Sequence, residues 1–118
     1  MQPIRIIEEA GVLIVRLAGR LSQQEGESLV KKLAGRLGSG CPGLLLDLSE
    51  VEYMTSSAVG AVVSLCQQVR LGGGRMAVAA PDDRVHLLLE VAGLNQLLAL
   101  CRSAEEARRA LAAGAPPQ

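Results

Sequence analysis

The strongest constraint on the fold is a short apolar run, Leu44 to Leu48, interrupted only by Asp47. Pro42 and Gly43 bound this run on its N-terminal side. A run of this length without alternating polar residues is typical of a strand covered on both faces, as in the parallel sheets of α/β proteins. The sequence therefore predicts a central buried strand with helices on both sides of it.

Regular patterns surround this run. Residues 4–7 and 12–18 are rich in β-branched residues and flank a plausible turn at 8–11, so they are predicted to pair as an antiparallel hairpin. Helices are predicted at 23–37, at 57–71, from 81 to about 93 and from 103 to about 113, with further strands at 75–80 and 97–101. This order predicts an α/β fold with a mixed, mostly parallel sheet, an N-terminal antiparallel hairpin and about four helices.

The length of 118 residues fits one domain, which we assign to residues 1–113, followed by a flexible C-terminal tail at 114–118. An apolar fraction of 49% supports a core without a metal or a disulfide. Cys41, Cys66 and Cys101 contain no CxxC pair, so we interpret them as reduced thiols. Reduced thiols favour a cytoplasmic protein.

The composition argues against several classes of partner. The chain has no Phe or Trp and a single tyrosine, Tyr53, whereas proteins that bind single-stranded nucleic acid need aromatic stacking platforms. Twelve basic and twelve acidic residues cancel, so no net field attracts nucleic acid or anionic lipid. No uncharged window reaches the length of about 18 apolar residues that a membrane span needs. We therefore expect neither nucleic-acid binding nor direct membrane insertion.

Catalytic interpretations find little support in the residues. His86 is the single histidine, and it lies in a predicted helix without a neighbouring nucleophile, so we interpret it as structural. Asp82 and Asp83 are interpreted as favourable charge at a helix N-terminus. The glycines at 72–74 follow a helix and precede a strand, which is the reverse of a phosphate-binding loop, so they are interpreted as a helix stop.

Asp47 ends a buried strand, as the phospho-acceptor of a response regulator does, but that chemistry needs Mg²⁺ held by carboxylates at neighbouring strand ends. Ala18 and Ala80 occupy those ends here. The sequence also shows no cluster of metal ligands. We therefore predict that the chain is not an enzyme and holds no metal or cofactor.

Thr55, Ser56 and Ser57 stand where the buried strand leads into the helix that follows. One interpretation is a helix cap, for which Ser and Thr are favoured. The other is a site for a phosphate, which the helix dipole and the free N–H groups would stabilise. A single side-chain oxygen satisfies a cap, so three adjacent hydroxyls exceed what capping needs.

Four segments, in order, resemble motifs of the STAS domain, the fold of bacterial anti-sigma-factor antagonists. Residues 12–21 resemble the second strand with its GxL ending, and 45–51 resemble the xxDLSxV strand. Residues 55–60 resemble the DSSGLG phosphorylation motif, and 91–94 resemble the LxGL that closes the third helix.

The resemblance implies a regulatory role. It maps the phospho-acceptor to Ser57, with Ser56 as the alternative, and implies as partner an anti-sigma factor that is itself a serine kinase of the GHKL type. The unphosphorylated protein would bind this kinase, and a homodimer is possible. The implied contact surface is the start of the second helix together with the loop after the second strand. Its residues are Leu21, Ser22, Gln23, Thr55, Ser56, Ser57, Ala58, Val59 and Ala61.

The chain departs from the family pattern at three of these positions. Thr55 stands where the family has Asp, Ala58 where it has Gly, and Ser22 where Asp is common. Related STAS modules are constitutive interaction subunits of stress-sensing scaffolds or of lipid ABC transporter complexes, and Thr55 would suit either role. A small-molecule or nucleotide binder of α/β type is a further alternative.

Overall fold

The computed structural model describes residues 4–38 and 43–113. The predicted order of elements is confirmed, with one 3₁₀ turn in addition. The elements are β1 (Ile4–Glu9), β2 (Val12–Leu21), α1 (Gln23–Gly38), β3 (Gly43–Met54), α2 (Ser56–Leu71), β4 (Arg75–Ala79), α3 (Asp83–Val91), the 3₁₀ turn (Leu94–Gln96), β5 (Ala99–Cys101) and α4 (Ala104–Ala113). Residues 39–42, which include Cys41, and the predicted tail at 114–118 lie outside the described residues.

The strands form one mixed sheet in the order β1-β2-β3-β4-β5. β1 pairs antiparallel with β2, and Ile7 stands opposite Ile14. The pairs β2–β3, β3–β4 and β4–β5 are parallel. This arrangement confirms the predicted fold class and places the apolar run Leu44 to Leu48 in the middle strand.

β3 is much longer than the apolar run predicted. It continues from Leu48 to Met54, where only every third residue, Val51 and then Met54, is buried. This extension pairs with β2 alone, because the register between β3 and β4 ends at Asp47 and Ala79. The polar residues of the extension did not predict a strand. Its pairing with β2 forms the strand in spite of that composition.

The sheet has two unequal faces. The larger core combines side chains of α1, α2 and α3 with one face of the sheet, and its fully buried members include Leu33, Leu65 and Leu89. The smaller core lies under α4 and contains Ile14, Leu45 and three alanines. α4 packs mainly on β3, β4 and β5, so the hairpin side of this face carries less cover.

The hairpin turn holds a strained residue. Ala10 has a φ of 52° and Gly11 a φ of 81°, so both turn residues are left-handed. Two-residue hairpin loops of this kind favour Asn before Gly, because Asn tolerates the left-handed region better than other residues with a Cβ.

Replacing Ala10 with Asn should therefore stabilise the protein by about 0.5–1 kcal/mol, or roughly 2–5 °C in Tm. Thermal unfolding followed by circular dichroism measures the shift. Ala10→Val is the matched control and should lower Tm, because a β-branched residue is poorly tolerated at positive φ. A fall in Tm for Ala10→Asn would contradict this account of the turn.

Candidate functional site

The candidate site lies where β2 and β3 end side by side. Leu21 pairs with Met54 as the final step of the β2–β3 register. The N–H of Thr55 then donates to the carbonyl of Leu21 at 2.9 Å. α1 begins two residues after Leu21 and α2 two residues after Met54, so two helix N-termini adjoin at one edge of the sheet. The two predicted segments, 21–23 and 55–61, are thereby brought together.

One hydroxyl of the cluster is the helix cap. Thr55 is extended, with φ −85° and ψ 166°, and its Oγ1 accepts a hydrogen bond from the N–H of Ala58 at 3.2 Å. The side chains of Ser56 and Ser57 are exposed and make no hydrogen bond with any residue in the ranges that the structure describes. The capping interpretation therefore accounts for Thr55 and leaves two hydroxyls available to solvent or to a partner.

At the N-terminus of α1, the hydroxyl of Ser22 is hydrogen-bonded within the first turn. Glu25 Oε1 accepts a hydrogen bond from the Ser22 N–H at 2.8 Å and another from the Ser22 hydroxyl. These two bonds lower the pKa of Glu25 below its usual value of 4.5. Because the pKa is lowered in the fold, the carboxylate contributes stability above its ordinary pKa, and that contribution is lost as the pH falls through the lowered one. The hydroxyl of Ser22 is thus engaged in a hydrogen bond that stabilises the start of α1.

α1 and α2 pack closely at Gly26. A Cβ added at Gly26, which is buried, would lie 2.9 Å from the Cβ of Ala61 and 3.9 Å from the carbonyl oxygen of Ser57. The absence of a side chain at Gly26 thus sets the distance between the two helices at the site. Sequence reasoning treated Ala61 as a partner contact, whereas the structure also makes it a helix-packing residue.

The two exposed serines face different grooves. Ser57 lines a groove of about 490 Å³ between α1 and α2, together with Gln23, Glu27, Val30, Lys31 and Ala61. Ser56 lines a groove of about 420 Å³ between the end of β3 and α3, whose other polar members include Glu52 and Arg84. A charge placed on one serine would therefore meet different neighbours from a charge placed on the other.

The predicted contact residues are not equally accessible. Gln23, Ser56 and Ser57 are exposed, and Ser22, Thr55 and Ala61 are half-buried. The side chains of Leu21, Ala58 and Val59, which the resemblance placed in the contact surface, are buried in the main core. Their backbone still lies at the site, but their side chains anchor β2 and α2 to the interior.

Sequence reasoning missed the second turn of α1 and the start of α3. Glu27 and Lys31 follow Gln23 at intervals of four residues, the spacing that places side chains on one helix face. That spacing could have identified the stripe once Gln23 was singled out. No sequence pattern pointed to Arg84, because only the tertiary fold brings α3 next to Ser56.

The remaining titratable candidates have structural roles. His86 is buried, and its Nδ1 lies 3.0 Å from the carbonyl oxygen of Ala80. Asp82 caps α3 by accepting from the N–H groups of Arg84 and Val85, as its position predicted. Burial raises the pKa of the Cys66 and Cys101 thiols, which keeps both protonated and weakly nucleophilic.

Asp47 is also committed to internal bonds. Arg16 Nε lies 3.2 Å from one carboxylate oxygen of this buried side chain. The N–H and the hydroxyl of Ser49 donate to the other oxygen at 3.0 and 2.5 Å. Across residues 4–38 and 43–113, no three His, Cys, Asp or Glu side chains gather as a metal site would require, and no helix is long and apolar enough to cross a bilayer.

A comparison with protein families matches residues 3–107 to the STAS domain. Among curated proteins, the chain is 29% identical over 96 residues to the anti-sigma F factor antagonist of Paenibacillus polymyxa, covering 80% of this chain and 82% of that protein. These matches confirm the resemblance seen in the four sequence motifs.

Solved structures share the same fold. An anti-sigma-factor antagonist (STAS) domain protein from Planctomyces limnophilus superposes with a TM-score of 0.80 at 23% identity, covering 92% of this chain and 97% of that chain. The anti-sigma factor antagonist SpoIIAA in its unphosphorylated form gives a TM-score of 0.74 at 16% identity, covering 98% and 100%. The phosphorylated form of SpoIIAA, from Bacillus, gives 0.71 at 18% identity, covering 92% and 98%.

The close approach at Gly26 leads to a test of the site's scaffold. Gly26→Ala should be less favourable than a normal Gly→Ala change in a helix, because its Cβ overlaps that of Ala61. In the Ala61→Gly background the overlap disappears, so a double-mutant cycle in urea should give a coupling free energy of about 1–2 kcal/mol.

Gly35→Ala is the control within the same helix, since a Cβ there meets no atom within 4 Å. This change should stabilise the protein by up to about 1 kcal/mol in both backgrounds. Equal effects of Gly26→Ala with and without the Ala61 methyl would show that Gly26 does not set the spacing of α1 and α2.

Proposed function

The chain belongs to the STAS domain family, and from that premise we propose that it is an anti-sigma-factor antagonist whose binding is controlled by phosphorylation of Ser57. In this proposal the unmodified chain binds its anti-sigma factor through the edge formed by the starts of α1 and α2. The observation that carries the proposal is the exposed Ser57 hydroxyl, which stays without a hydrogen bond among the described residues while the neighbouring Thr55 does the capping.

The fold should tolerate a phosphate at Ser57. Ser57 lies in the first turn of α2, where the helix dipole and unpaired N–H groups favour an anion. The phosphate adds about −1.5 to −2 charges and is held in solvent, so it desolvates nothing in the free protein. Lys31 lines the same groove and offsets part of the repulsion from Glu27.

A complex should tolerate the same group poorly. A partner packed on the edge would have to desolvate the dianion or hold it away, and each 1.4 kcal/mol of that cost weakens binding about tenfold. The modification therefore acts on the complex and spares the fold. This difference is what a reversible switch needs.

Gly60 gives independent support for a docking surface on α2. This residue is exposed in the second turn of α2, and a Cβ there would meet no atom within 4 Å. Glycine in a helix interior costs about 1 kcal/mol relative to alanine, so the free protein gains nothing from it. Gly60 follows Ser57 by three residues, on the same helix face, where a partner backbone could approach closely.

The proposed partner is an anti-sigma factor that is also a serine kinase of the GHKL type, acting in the cytoplasm. It would transfer the γ-phosphoryl group of ATP to the Ser57 oxygen, releasing ADP and the hydroxyl proton. The relative from Paenibacillus polymyxa, named as an anti-sigma F factor antagonist, supports an anti-sigma factor as the partner. This chain would contribute the acceptor hydroxyl, and the kinase the catalytic groups.

A second candidate function is a constitutive interaction subunit of a stress-sensing scaffold or of a lipid ABC transporter complex. It is favoured by Thr55 and Ser22, which stand where the family pattern carries acidic residues. In such a complex the same edge would bind its partner regardless of phosphate. The two functions therefore differ in their response to charge at Ser57.

The first test compares Ser57→Asp with Ser57→Ala in binding to the purified kinase partner by calorimetry. Ser57→Ala should bind like wild type, and Ser57→Asp should bind at least tenfold more weakly, because its carboxylate must be desolvated at the interface. Tm should be close to wild type for both. Ser56→Asp and Ser56→Ala are the matched comparison, and Ser56→Asp should bind more tightly than Ser57→Asp, because Ser56 lines the groove beside α3 and Ser57 the groove between α1 and α2.

Equal affinities for the two Ser57 variants, with both folded, would reject phosphate control and favour the constitutive role. Loss of binding in Ser56→Asp alone would move the switch to Ser56 and its groove with Arg84.

The second test uses Gly60. Gly60→Ala should stabilise the free protein by up to about 1 kcal/mol and weaken partner binding about tenfold, since a methyl group intrudes on the contact. Gly35→Ala, an exposed change in α1, should give a similar gain in stability without loss of affinity. Wild-type affinity for Gly60→Ala would show that no partner backbone approaches this face.

A further inference from the structure

A second groove lies at the other end of the sheet from Ser57. Its volume is about 360 Å³, and it runs between the β1–β2 hairpin and the C-terminal half of α4. Val12, Gly43 and Arg75 line it and form one row across the starts of β2, β3 and β4. The starts of α1 and α2, where the partner is proposed to bind, lie at the opposite ends of β2 and β3.

The groove exists because α4 leaves the hairpin side of this face partly uncovered. Ile14, which is buried, forms part of its wall, and Ile7, its partner on β1, remains 51% exposed. Leu111 and Ala112 of α4 supply the facing wall. Gly43 carries no side chain that would fill the space. The interior is therefore apolar, and its volume is in the range of small-ligand pockets.

Two arginines line this apolar groove. Arg108 forms an ion pair with Glu9, which links α4 to the hairpin. Arg75 is exposed and makes no ion pair or side-chain hydrogen bond with any residue of 4–38 or 43–113. The lining thus carries one cation in excess beside an apolar cleft. This combination complements a molecule with one anionic end and a hydrocarbon tail.

We propose that this groove binds a free aliphatic monocarboxylate of medium chain length. The guanidinium of Arg75 receives the carboxylate, with the planar fork geometry that suits two parallel N–H···O bonds. The alkyl chain lies against Val12, Ile14 and Leu111. A nucleotide fits less well, because no aromatic side chain lines the groove to stack on a base. The site is independent of the proposed switch at Ser57.

Titration calorimetry on the full chain with butyrate, hexanoate and octanoate tests the proposal. Binding should saturate at one molecule per chain, and affinity should rise about twofold to fourfold for each added methylene. Octanol, which has the same tail without the charge, should bind at least tenfold more weakly, because a hydrogen bond to a charged group is lost. Octyltrimethylammonium should not compete with octanoate.

Two pairs of variants locate the site. Arg75→Gln should weaken octanoate binding about tenfold or more, and Arg84→Gln, an exposed arginine at the other edge of the sheet, should leave it unchanged. Ala112→Trp should block the groove, whereas Arg109→Trp, on α4 but outside the lining, should not. Both residues changed to Trp are exposed in the structure, so the fold should be retained.

The proposal is overturned if octanoate fails to saturate at concentrations below its aggregation threshold. It is also overturned if Arg75→Gln binds octanoate as tightly as Arg84→Gln does. An unchanged affinity in Ala112→Trp would likewise exclude this groove as the binding place. None of these results bears on partner binding at Ser57, so the two proposals fail separately.

Discussion

The parallel pairing of β2 and β3, which continues through two register irregularities to the last residue of both strands, is the interaction on which the site depends. The Leu21–Met54 pair and the hydrogen bond from the Thr55 N–H to the Leu21 carbonyl fix where both strands stop. α1 and α2 then start beside each other. Because Gly26 has no side chain, α1 packs closely against Ala61 of α2. A shift of one residue in this register would turn the side chains of β3 to the opposite face and separate the two helix starts.

The hydroxyl groups at this edge have separate roles. Thr55 closes the first turn of α2, and Ser22 is held by Glu25 at the first turn of α1. Ser57 is required by neither helix, so its chemistry can change without disturbing the scaffold. In the proposed function, stability and recognition rest on different residues, so a charge at Ser57 would alter binding while the fold persists. Gly60 is likewise not explained by stability. It lowers the helix propensity of α2 at a position where the free protein has room for a side chain.

Much of the fold could be predicted because local patterns carry it. Apolar spacing predicted each helix and each strand of the part of the chain that the structure describes. The sequence did not predict the extension of β3 to Met54, because its polar and apolar residues do not alternate as they do in a typical half-buried strand. The burial of Leu21 and Ala58 and the contribution of Arg84 to the Ser56 groove were also missed. Such features depend on how distant elements pack, which a single sequence does not encode locally.

The most direct test of the central claim is to phosphorylate the intact chain with its kinase partner and ATP, map the phosphate by mass spectrometry, and compare the modified and unmodified proteins. The account predicts a single phosphate on Ser57 and an affinity for the partner that is at least tenfold lower. The Tm should change by no more than about 3 °C, since an exposed anion at a helix start contributes only about 1 kcal/mol. A phosphate on Ser57 that leaves the affinity unchanged, or a loss of binding that comes only from unfolding, would contradict it.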